Sequence, residues 1–132
     1  MRKTLLVGAT ALLLSAACGE ETTACGDPGG STMCPGSNCL ECHGFKVAGT
    51  VFTSTTSTTP VSGATVTISP STGADVVLTS NSAGNFYTSA SLAFPLTVTV
   101  SKGAATASMG SAVPAGDGGC NQCHDAGMRI HP

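Results

Sequence analysis

Leu96-Thr97-Val98-Thr99-Val100-Ser101 alternates apolar and hydroxylated side chains without a break. Successive side chains of a strand point to opposite faces, so this stretch reads as a strand that buries Leu96, Val98 and Val100 and turns its hydroxyls to water. Working outward, the same period recurs. Residues 61–69 put Val66 and Ile68 on one face and Thr65 and Thr67 on the other. Residues 46–52, 75–79 and Phe86-Tyr87-Thr88 are further strands, and residues 104–109 form a weaker one after the Lys102-Gly103 turn. Polar residues 53–59 and Asn81-Ser82-Ala83-Gly84-Asn85 read as connections. No segment carries a sustained helical period. The expected fold class is mainly β, a small antiparallel β-sandwich of about six strands. An even number of strands tends to bring the chain's entry and exit to one end of such a sandwich.

The chain opens differently. Met1-Arg2-Lys3 is basic, Leu5 through Leu14 is apolar but too short to span a bilayer, and Ser15-Ala16-Ala17 supplies small residues before Cys18. This pattern of an export signal over residues 1–17 resembles the lipobox of bacterial lipoproteins, although Ser15 stands where an aliphatic residue is usual. The resemblance implies acylation of Cys18, a lipid anchor in a membrane, and an outer-membrane location facing the periplasm or the cell surface. Residues 18–38 then read as a tether, with Asp27-Pro28-Gly29-Gly30 and Pro35-Gly36-Ser37-Asn38 as its turns. Without the signal, three cations face seven acids, a formal charge of −4. Such a surface excludes nucleic acid as a partner and favours basic proteins.

Cys39-Leu40-Glu41-Cys42-His43 and Cys120-Asn121-Gln122-Cys123-His124 are the residues that carry chemistry. Two thiols at this spacing can add across the two vinyl groups of one haem, and the adjacent imidazole becomes an axial ligand of the iron. Two such pentapeptides take up two of the three histidines. At these ten residues the chain resembles the c-type cytochromes. The resemblance implies two covalently bound haem c groups, held by Cys39 and Cys42 with His43 and by Cys120 and Cys123 with His124. It makes the chain an electron carrier rather than an enzyme, with no catalytic residues and with redox proteins, other multihaem cytochromes among them, as partners. The rival readings are a surface β-sandwich binding module whose cysteines hold zinc or disulfides, a redox dithiol, and a haem enzyme or sensor with an open, peroxidase-like iron. A dithiol does not account for the histidine after each pair, and a compact zinc module does not span from Cys42 to Cys120.

Of seven cysteines, the motifs use four. Parity in an exported chain pairs Cys25 with Cys34 and leaves Cys18 for the lipid.

Val47-x-Gly49-x-Val51, Pro60-Val61-Ser62-Gly63-Ala64-x-Val66 and Ala83-Gly84-Asn85-Phe86 resemble a second family, the carboxypeptidase-regulatory-like, transthyretin-like sandwiches. This resemblance covers residues 46–109 and implies a fold without assigning chemistry. The organisation expected is therefore a first haem-attachment segment over residues 39–45, the sandwich over 46–109, and a second attachment segment over 110–132.

His131 is the remaining histidine. Six residues separate it from His124, a short reach around the edge of its own macrocycle, so it is expected to ligate the iron held at Cys39 and Cys42. Met33, Met109 and Met128 are the thioether candidates for the other iron, and Arg129 can pair with a haem propionate. Stacking of haems or ligation by His131 across chains would allow self-assembly.

Overall fold

The computed structural model describes residues 33–132. The export signal, Cys18, Cys25 and most of the tether lie outside them, and so does the pairing expected for Cys25.

Among the described residues there are six strands, in two antiparallel sheets. Strands β1 (Val47–Thr50) and β4 (Asn85–Thr88) form a two-stranded sheet. The larger sheet has the order β3 (Val76–Thr79), β2 (Thr65–Pro70), β5 (Leu96–Lys102), β6 (Ala105–Ser108). The fold is thus mainly β and sandwich-like, with strands where the alternation puts them. Val66 and Ile68 of β2 are fully buried, as is Leu96 of β5, while their hydroxylated neighbours are half-buried or exposed. Across the layers these side chains meet Val47, Val51 and Phe86, so that one apolar core holds the two sheets together.

One strand is shorter than its pattern. Residues 61–64 continue the alternation into β2, yet β2 begins at Thr65, because Gly63 takes a φ of +68° and turns the chain. Ser80 holds that turn by donating to the Val61 carbonyl at 2.6 Å and accepting from the Ala64 N–H at 2.9 Å.

The segment after β6 returns to the sandwich. Val113 bridges Leu96, and then residues 118–130 run beside β1, where Gly119 bridges Ala48 and Ile130 bridges Val51, both in parallel sense. The helical turn α1 (Cys120–Cys123) and the 3-10 turn Cys39–Glu41 both pack on β1. The two CxxCH segments therefore share one strand as their support. What unites them is this addition of residues 118–130 to β1 rather than the parity of strands alone.

Candidate functional site

Two close approaches let α1 lie on β1. A Cβ on Gly118 would collide with the Lys46 carbonyl oxygen, and one on Gly49 would stand 2.8 Å from both the Cβ of Cys120 and the ring of Phe86. With bare backbone at both positions, the N–H of Ala48 donates to Gly118 O at 3.0 Å. The N–H of Phe52 donates to Ile130 O at 2.7 Å. Residues 120–129 form a loop whose neck is stitched to one strand.

That loop closes one side of a cavity of about 430 Å³. Cys120, Cys123 and His124 line it together with Met109, Met128, Arg129 and His131; Val98 and Val100 of β5 and Ala107 of β6 supply its apolar wall. The volume lies in the range of small-molecule and cofactor sites. His131 is thus placed on the cavity of the second motif. The pinned neck holds it there: Arg129 N–H donates to Thr55 O, and His131 Nε2 lies 3.0 Å from Thr55 Oγ1.

The geometry of His124 is informative. Its Nδ1 lies 2.7 Å from the Met128 carbonyl oxygen. A carbonyl only accepts, so Nδ1 carries the proton, and in the neutral ring the lone pair is on Nε2. Metal-ligating histidines are oriented in this way, by giving the second ring N–H to a carbonyl or carboxylate. The donor set of the cavity accordingly fits a haem: two thiols, an imidazole with a free Nε2, and further histidine and thioether side chains. Arg129 adds a cationic group whose Nε is buried with no hydrogen-bond partner among the described residues. Its guanidinium lies over the Phe52 ring at 4.2 Å, leaving its edges for an anion such as a propionate.

Within the motif the two thiols differ. Cys120 is buried and Cys123 exposed. Burial pushes the Cys120 thiol up to about 12, and the neighbouring Cys39 and Cys123 thiols add to the shift against a backbone hydrogen bond. Burial also raises Cys39, likewise opposed by a backbone hydrogen bond.

The first motif is built differently. Asn38 caps the 3-10 turn by accepting from Leu40 N–H, and Cys39 is buried beneath it. Cys42 and His43 are exposed. The His43 ring stacks on Phe45 at 4.9 Å, and Phe45 stacks on the exposed Tyr87 at 4.5 Å. Cys42 is disulfide-bonded.

Asn121 escaped the sequence reading, which assigned it no role. It is buried, and it donates to Ser37 O and Thr50 Oγ1 while accepting from the Thr50 N–H. No periodicity could have revealed this, because a polar residue in a short polar turn ordinarily faces water. No protein-family model, no curated protein and no solved structure matches the chain.

Proposed function

We propose that this chain is an exported dihaem c-type cytochrome that carries electrons at the outer membrane or cell surface, anchored there through a lipid on Cys18. The observation that carries the reading is the hydrogen bond from His124 Nδ1 to the Met128 carbonyl, which leaves Nε2 as a ligand beside two thiols on a cavity of about 430 Å³. A bound haem would supply one-electron chemistry by cycling its iron between the ferric and ferrous states.

The residues around it have distinct tasks. Cys120 and Cys123 would hold the macrocycle by thioether bonds and His124 would bind the metal. His131, Met109 and Met128 line the same cavity and would be further donors to the metal. Val98, Val100 and Ala107 would exclude water from its apolar face, and Arg129 would pair with a propionate. The negative charge of the chain favours basic redox partners.

At the first motif, Cys39, Cys42 and His43 would hold a second haem. A thioether at Cys42 requires release of that sulfur from its disulfide, so attachment there needs a prior two-electron reduction by a dithiol.

The test is a pyridine haemochrome spectrum with intact mass, on protein expressed with its own signal in a host that attaches haem. Two covalent haems per chain and an acylated Cys18 are expected. Absence of haem, with zinc or oxidised thiols instead, would overturn the reading.

A further inference from the structure

We propose that Asn121 is a positioning residue that fixes the first attachment segment on the second, so that the two sites form one rigid pair. The inference rests on the dihaem reading and deepens it. It starts from the loop that leads into Cys39. Three backbone groups of that loop are held by side chains from three other elements. Asn85 of β4 donates to Met33 O at 2.7 Å, Gly36 N–H donates to Thr50 Oγ1 of β1 at 2.9 Å, and Asn121 of α1 donates to Ser37 O at 2.8 Å.

Thr50 joins the three. Its hydroxyl donates to Asn85 Oδ1 at 2.6 Å and accepts from both Gly36 N–H and Asn121 Nδ2, the latter at 3.0 Å, which uses its one proton and both lone pairs. Its own N–H donates to Asn121 Oδ1 at 3.0 Å. Thr50, Asn85 and Asn121 are all buried, with relative exposures of 0%, 3% and 9%. A closed set of donors and acceptors in such surroundings has one arrangement that satisfies every member, and loss of one partner leaves the others uncompensated.

The network ends at the chemistry on both sides. Asn121 follows Cys120 directly, whereas Ser37 precedes Asn38, whose side chain caps the turn holding Cys39. The same Asn38 Oδ1 would lie 3.2 Å from a Cβ on Gly119, so only a residue without a side chain lets the two segments approach this closely. A displacement of α1 is therefore transmitted through one amide to the approach of the first motif. Covalent attachment by itself places no requirement on position 121. The mutual orientation of the two sites does.

The experiment uses the full chain matured with both haems. Two haems held near one another at a fixed angle give a bisignate circular-dichroism couplet in the Soret band. Asn121→Ala is expected to retain both haems and lose most of the couplet, with Thr50→Val doing the same and the double variant losing no more than either. Gln122→Ala, at the exposed neighbouring position, is expected to keep it. Asn121→Asp, which retains the acceptor for Thr50 N–H and drops both donations, carries the test if the alanine variant does not fold. A second readout needs no haem: alkylation of the buried Cys39 in the haem-free chain is expected to quicken by about ten-fold or more in Asn121→Ala. An unchanged couplet and unchanged Cys39 labelling would overturn the proposal. Wild-type protein without haem would overturn the cytochrome reading instead, and the labelling would still decide the role of Asn121.

Discussion

Gly49 and Cys120 approach so closely that a methyl group on the glycine would stand 2.8 Å from the cysteine's Cβ. Phe86 blocks the other direction at the same distance, so the new methyl has no free space to enter. Gly49→Ala is expected to cost about 1–3 kcal/mol, the range for overpacking a filled core. Urea denaturation of the haem-free chain measures it. Gly44→Ala, where a Cβ meets nothing within 4 Å, serves as the control and should stay within about 0.5 kcal/mol.

The buried Cys120 thiol gives the haem-free chain a pH dependence of definite sign. Its pKa rises on folding from the ordinary 9.0 to about 12. Between those values the folded state keeps a proton that the unfolded state has lost. Stability is therefore complete below pH 9 and falls as pH rises, by about 1.4 kcal/mol per unit. Denaturation midpoints from pH 7 to pH 10.5 should show the decline, and Cys120→Ala should make it shallower, leaving the part due to Cys39, whose pKa burial also raises. A slope unchanged by the substitution would exclude Cys120 as a source. Thioether formation at Cys120 abolishes the titration, so matured protein should lack this component.

If haem binds as proposed, His131 is expected to ligate the iron held by His124, whose cavity it lines. In reduced, haem-loaded protein, His131→Ala should admit carbon monoxide at one haem more than the wild type does, read as a larger Soret shift. If Met109→Ala has that effect and His131→Ala does not, the thioether is the ligand and Thr55 is the histidine's real partner.

Arg129 faces the same cavity as a fixed positive charge. Ferrous haem carries one negative charge more than ferric, so a nearby cation favours reduction. Arg129→Gln should lower the midpoint potential of one haem by about 30–60 mV, equivalent to about 0.7–1.4 kcal/mol for one electron. Potentiometric titration resolves this, and equal shifts in both haems would place the arginine's influence elsewhere.

β5 and β2 were legible because period and burial coincide along them: each buries the residues its alternation marks, whereas β1 is buried on both faces. The partition into sheets was not legible. That β1 pairs with β4, while β2 lies between β3 and β5, depends on contacts remote in sequence that leave no local period. Spacing marked Cys120, Cys123 and His124, which share one cavity, yet the wall of Val98, Val100 and Ala107 was not legible, since those residues read simply as core. The position of His131 was not legible either, because it is set by contacts remote in sequence: Arg129 and Ile130 are hydrogen-bonded to Thr55 and Phe52.

The parallel bridges of Gly119 to Ala48 and Ile130 to Val51 have one more consequence. A two-stranded sheet has an open edge on each side, and an open edge flanked by buried apolar residues is a template for pairing with another molecule. Residues 118–130 cover the edge of β1 that β4 does not, next to Val47 and Val51. Until they dock, this edge stays bare, in a chain whose earlier strands can already have formed. The segment that carries Cys120, Cys123 and His124 is therefore also the cover of an edge that would otherwise be open to strand-to-strand pairing.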